Sequence, residues 1–171
     1  ESDQAIPEPV RLRALELVDS FLIDPRAYAN AAWEVVRRPD RPAEQYGAAL
    51  KQAEEACAVE RENAGYLSIL GVALYRVGGH EDAVEELTKA VALAREGRHV
   101  ASDGVNYPAT LAFLAMANYR IGRFDEANAV LTQLRDQLRN FDFRAESESH
   151  DLLREAEALI ESQSSPELQP H

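Results

Sequence analysis

Two phrases of this chain are nearly superposable and lie 44 residues apart: Tyr75-Arg76-Val77-Gly78-Gly79-His80-Glu81-Asp82-Ala83 and Tyr119-Arg120-Ile121-Gly122-Arg123-Phe124-Asp125-Glu126-Ala127. Each is followed by Leu-Thr, at Leu87-Thr88 and Leu131-Thr132. Such self-similarity constrains a chain strongly, because one small unit cannot bury its apolar face alone and must stack on its neighbours. The result is a repeat array, which presents a surface rather than a converging set of chemical groups. Binding is therefore the function to expect, and the sequence does not name the ligand.

A shorter period underlies the 44-residue one. Trp33 and Leu67, Ala49 and Ala83, Ala53 and Leu87, and Ala56 and Ala90 are all 34 residues apart. The last unit keeps its internal spacing but starts ten residues late, and the segment 96–107, with Gly97, Ser102, Asp103, Gly104 and Asn106, has the loop chemistry to hold the excess. Apolar periodicity predicts helices at 9–23, 26–37, 44–58, 63–77, 80–95, 107–121, 124–139 and 145–162. Asp24-Pro25 supplies an N-cap and a first-turn proline. Gly78 and Gly122 stand where a helix ends on a left-handed residue, a conformation glycine adopts without a Cβ clash. Ala49, Ala83 and Ala127 leave room for the second helix of each pair to approach the first. The expected organisation is an N-terminal lead-in and helix (1–25), three helix pairs within 26–141 (26–59, 63–97 and 107–141), a capping helix (145–162) and a disordered tail (163–171).

Composition excludes several classes of function. Thirty acidic residues against 18 basic ones give a formal net charge of -12, the wrong sign for nucleic acid or an anionic membrane as main partner. Half of that excess falls in the last 27 residues, and reads as a solvated outer face plus a tail. Cys57 is the only cysteine, so no disulfide forms within the chain, and a reducing compartment fits. No apolar run reaches the roughly 20 residues of a membrane span, and no signal peptide opens the sequence. The absence of an initiator Met at Glu1 suggests a piece of a longer polypeptide, and a cytoplasmic location is expected.

The 34-residue unit is similar to the tetratricopeptide repeat. Its pattern is carried by Leu67, Leu70-Gly71, Leu74, Gly78, Ala83, Leu87 and Ala90 in the middle unit, and by Leu111, Leu114-Ala115, Gly122, Phe124, Ala127, Leu131 and Leu134 in the third. The first unit is degenerate: it keeps Trp33, Ala49, Ala53 and Ala56 but has Val36-Arg37 for Leu-Gly and prolines in its turn, which predicts a short first helix. The usual proline closing each repeat is absent. Ala31–Pro39, Leu70–Arg76, Leu111–Ala117 and Leu153–Leu159 further resemble segments of a planctomycete-type tetratricopeptide domain, found toward the C-terminus of large serine/threonine kinases or WD-repeat proteins. No kinase glycine loop or catalytic loop is present, so no kinase activity carries over. The resemblance implies an all-α fold, a right-handed α-α superhelix of about eight helices with a C-terminal cap.

In such an array the first helix of each pair lines the concave face. The residues expected there are Val35 and Arg38 (with Glu34) in the first unit, Ser68, Ile69, Val72, Tyr75 and Arg76 in the second, and Ala112, Phe113, Met116, Tyr119 and Arg120 in the third. Ile69, Val72, Phe113 and Met116 either form a groove for an extended or helical peptide or are covered by the N-terminal helix, the final helix or the 96–107 loop and become core. Arg38, Arg76 and Arg120 either fork onto a partner's carboxylates or complement the negative end of their own helices. Charge reversal at Arg76 and Arg120 is expected to abolish partner capture with helicity intact. The family's carboxylate clamp is not matched, since Arg38, Val72 and Ser68 stand where its polar residues would be.

The four histidines, His80, His99, His150 and His171, are scattered without metal-ligand spacing, and His80 reads as packing between helices. Glu54-Glu55, Glu81-Asp82 and Glu85-Glu86 read as solvated faces rather than acid/base pairs. No enzyme activity, metal or cofactor is expected. The expected function is a protein-interaction scaffold holding a protein or peptide, in trans or from the same parent chain. The alternative is a structural or homo-oligomerising domain whose concave face is filled by itself.

Overall fold

Capping side chains start two of the helices, at Asp24 and Asn63, and a left-handed glycine closes the one that ends at Val77. In the computed structural model, which describes residue 8 and residues 24–97, 107–140 and 147–161, there are seven helices and no strand among the described residues. They are α1 (Pro25–Val36), α2 (Ala43–Val59), α3 (Ala64–Val77), α4 (His80–Arg95), α5 (Tyr107–Arg120), α6 (Phe124–Asn140) and α7 (Ser147–Glu161). Each end lies within two residues of the range that apolar periodicity predicts. The helix expected at 9–23, most of the loop at 96–107 and the tail at 163–171 fall outside the described residues.

Local chemistry explains the boundaries. Asp24 caps α1 by accepting from the Arg26 backbone N–H at 3.0 Å, with Pro25 in the first turn. Asn63 caps α3, its Oδ1 accepting from the Gly65 and Tyr66 backbone N–H groups at 3.0 and 3.2 Å. The two repeated phrases end their helices identically. Gly78 and Gly122 are left-handed (φ 92° and 80°), and the next residue in each case donates back across the stop, Gly79 N–H to Leu74 O and Arg123 N–H to Asn118 O, both at 2.9 Å. This is the six-to-one bond of a Schellman motif, and it satisfies carbonyls that a helix end leaves bare.

The degenerate first turn is held differently. Tyr46 of α2 reaches back, its hydroxyl donating to Arg38 O at 2.8 Å and accepting from the Arg41 backbone N–H at 3.0 Å. A side chain thereby pins the proline-containing connection 37–42. The first helix is the shortest of the three that open a pair, 12 residues against 14 in α3 and α5.

Helices pack as the pairs α1·α2, α3·α4 and α5·α6, and each pair stacks on the next through α2·α3 and α4·α5. The odd-numbered helices also touch one another, α1 on α3 and α3 on α5, whereas no comparable contact joins α2 to α4 or α4 to α6. α1, α3 and α5 are thus the more tightly drawn, inner layer of the stack. Small residues set the spacing: Ala49, Ala83 and Ala127 are buried, and a Cβ added to Gly71 would sit 2.5 Å from Leu87 Cγ.

Candidate functional site

The inner layer brings the expected site residues together, and then covers most of them. Ile69, Val72, Ala112, Phe113 and Met116 are 0% exposed, and Ser68 and Tyr75 are buried as well. Ser68 is occupied within the layer, its Oγ lying 2.9 Å from Ala64 O and 2.9 Å from the Thr110 hydroxyl of α5. Val35 and Tyr119 are half-buried, while Arg38 and Arg120 are exposed. Of the two readings of these apolar side chains, groove or core, this conformation has them as core.

Helix α7 accounts for the crowding over the third pair. In the regular stack each new helix leans on the outer helix before it: α3 packs more on α2 than on α1, and α5 more on α4 than on α3. α7 reverses this and packs more on α5 than on α6. It lies inward, with Ser149, Leu152, Ala156 and Ile160 buried along one stripe. At about 100° per residue, Glu148 and Glu155 fall to one side of that stripe and Glu157 and Glu161 to the other.

Those glutamates meet arginines far away in sequence. Glu148 pairs with Arg37, just past the end of α1, at 3.0 Å, and Glu155 accepts both terminal nitrogens of Arg76 at 2.6 and 3.2 Å. On the opposite edge Arg135 of α6 bonds Glu157 at 2.8 Å and Glu161 at 2.5 Å. The carboxylates hold the guanidinium groups above the usual arginine value: Glu148 then Glu34 act on Arg37, and Glu161 then Glu157 on Arg135, with burial opposing in each case. The acidic C-terminal segment, expected as a solvated face, thus carries four paired glutamates. They lie along its two flanks, partly open to solvent, where Arg37, Arg76 and Arg135 receive them.

Arg76 is the centre of this arrangement. Its side chain is only 8% exposed. Nε donates to Val36 O at 2.9 Å, satisfying a carbonyl at the bare C-terminal end of α1, and the guanidinium carbon lies 4.8 Å from the centre of the Phe113 ring. One residue therefore ties α1, α3, α5 and α7. Neither reading of the sequence describes it: Arg76 caps another helix rather than its own, and its fork is already filled by Glu155. Charge reversal at Arg76 would remove the donor to Val36 O and set two carboxylates against each other at Glu155.

Beside Arg76 a cleft of about 590 Å³ opens, lined by Asp40 and Arg41 of the first turn, Tyr75, Gly78, His80, Arg120 and Glu155. Arg38 lies in a second depression of about 620 Å³ between the end of α1 and α7, with Arg37, Glu148 and Arg154. His80 packs its ring on Tyr75, with centroids 5.3 Å apart, as Phe124 packs on Tyr119 at 5.2 Å in the third pair. Burial first, and Arg120 second, hold the His80 imidazole below its usual value of 6.5. Its buried Nδ1 has no hydrogen-bond partner. The sequence admits the final helix as one possible cover of Ile69, Val72, Phe113 and Met116, but it gives no sign of Arg41, which lies outside the repeated pattern.

Among the described residues no cluster of His, Cys, Asp and Glu could hold a metal ion, and no helix is long and apolar enough to cross a membrane. Burial pushes the Cys57 thiol up to about 12, with Glu86 and Glu54 adding to the effect, so it is no nucleophile in the folded chain.

No protein-family model matches the chain, and no curated protein sequence matches it. Among solved structures it is similar to the first TPR domain of the human RPAP3 protein, determined by NMR, with a TM-score of 0.53 at 16% identity over 81% of this chain and 97% of that one. At that identity the likeness is one of architecture, and with the paired, stacked helices and the glycine stops it gives this chain a tetratricopeptide-like all-α fold.

Proposed function

We propose that this chain is a protein-interaction module, three tetratricopeptide-type pairs and a cap, stacked as a right-handed superhelix whose inner face holds a helical or extended segment of protein. The observation that carries the reading is that this face already holds one: α7 lies on it with an apolar stripe inward and its glutamates on arginines. The surface is thus suited to a segment of acidic, amphipathic chemistry, in trans or from the same parent chain. Arg38, Arg41 and Arg120 are exposed and would steer the approach of such a segment to an otherwise acidic molecule. A kinase or WD-repeat parent protein belongs to the same proposal and rests on the sequence phrases alone.

An array of immobilised acidic peptides probed with the purified chain tests this. Binding lost in Arg38→Glu/Arg120→Glu, with unchanged circular dichroism, supports the module. The burial of Ile69, Val72, Phe113 and Met116 favours a second reading, a structural or oligomerising domain. Light scattering that gives a concentration-independent dimer, together with an array that captures nothing, would establish that reading instead.

A further inference from the structure

We propose that α7 is an exchangeable occupant of the inner face, and that the partner this face takes is an amphipathic helix with the pattern of α7, which binds by displacing it. The proposal rests on the interaction-module reading and specifies its ligand. The recognition rule is read from α7 itself: glutamates seven apart (Glu148 and Glu155) on one flank, an apolar stripe of Leu152, Ala156 and Ile160, and glutamates four apart (Glu157 and Glu161) on the other.

Three observations separate α7 from the rest of the array. It breaks the stacking rule that the earlier pairs obey, leaning on the inner helix of the third pair rather than on the outer one. Its ties to α1 and α3 are polar and ionic, Arg37 to Glu148 and Arg76 to Glu155, and bridge 111 and 79 residues of sequence. Those carboxylates remain partly open to solvent, 35% and 28% exposed, whereas the arginine fork that receives Glu155 is 8% exposed. A buried fork facing a wet carboxylate is the arrangement of a receptor and its ligand. An incoming carboxylate of the same geometry can replace the resident one without leaving a buried charge unpaired, and such an unpaired charge is what ordinarily makes the opening of an ion pair prohibitive. Exchange therefore requires the competitor to carry glutamates in the same register, so the mechanism is itself a source of specificity.

The test uses the whole chain and a fluorescein-labelled synthetic peptide with the sequence of residues 145–163. The resident helix occupies the site in the wild type, so the peptide should bind weakly there. Binding should be about tenfold or more tighter to Glu148→Gln/Glu155→Gln, whose own α7 has lost both ties while Arg37 and Arg76 remain. The same peptide with Gln at those two positions should lose the gain. Equal binding of the peptide to both chains, or binding to neither, overturns the proposal. Should the variant fail to fold, hydrogen exchange on the wild type decides: α7 amides that exchange well before those of α3 and α5 support displacement, and protection equal to theirs overturns it. Acidic peptides captured by the array while the 145–163 peptide binds neither chain would leave the interaction module standing and remove α7 exchange alone.

Discussion

At position 71 the absence of a side chain is a packing requirement. A Cβ there would meet Leu87 Cγ at 2.5 Å and Cδ2 at 2.8 Å, and Leu87 is itself buried. Gly71→Ala should therefore destabilise the fold: overpacking costs about 1–3 kcal/mol, against at most about 1 kcal/mol gained in helix propensity. A lowered midpoint of urea unfolding would show it, and a raised one would refute it. Position 80 carries a different prediction. The folded His80 sits below 6.5, held there by burial and Arg120 against a smaller opposing pull from Glu81. As pH falls, the unfolded chain takes up this proton first, so the contribution of neutral His80 to stability is complete above about 6.5 and is lost as pH drops through the folded value. His80→Phe, which copies Phe124 of the next pair, should flatten the dependence of the unfolding midpoint on pH between about 7 and 5. A variant with the wild-type slope would place that dependence elsewhere.

Among the elements, the boundaries of α3 to α6 were legible in the sequence because their signals are local. Gly78 and Gly122 stop helices through bonds made within a few residues, and the spacing of Ala83 and Ala127 from those stops is fixed by the chain itself. The connection 37–42 was less legible. Two prolines announce a turn there, but its fixation by the Tyr46 hydroxyl depends on how α2 folds back. The inward lean of α7 was one of several possibilities that the sequence left open, since its amphipathic pattern is equally that of a terminal cap facing water. Arg76 measures how strongly these elements are coupled. Arg76→Met should keep some of the packing on Phe113 but leave the Val36 carbonyl and Glu155 without their donor, at a loss of about 1–3 kcal/mol. Arg76→Lys should recover only part of it, because an ammonium cannot fork onto a carboxylate while also capping a carbonyl. Thermal unfolding of the two variants checks the order, and wild-type stability in Arg76→Met would show the ties to be ornamental.

For the whole molecule, charge and topology act together. The net charge of -12 opposes compaction, and between helices the arginine pairs relieve it along both edges of α7. Salt screens the diffuse repulsion more than it screens the partly buried Arg76–Glu155 pair. Raising ionic strength from about 20 to about 200 mM should therefore raise the thermal midpoint, and a fall would mean that the ion pairs outweigh the repulsion. The sequence by itself determined the helices, their glycine stops, the pairing period and the small residues at close approaches, because each of these is a short-range property that recurs and so can be recognised by comparison within the chain. Only the tertiary structure decided that Ile69, Val72, Phe113 and Met116 are covered, that Arg76 serves the end of α1, and that four C-terminal glutamates are paired with arginines of other parts of the chain. The glutamate pairs depend on where one non-repeating helix docks, and contacts between residues 79 and 111 positions apart leave no period to read.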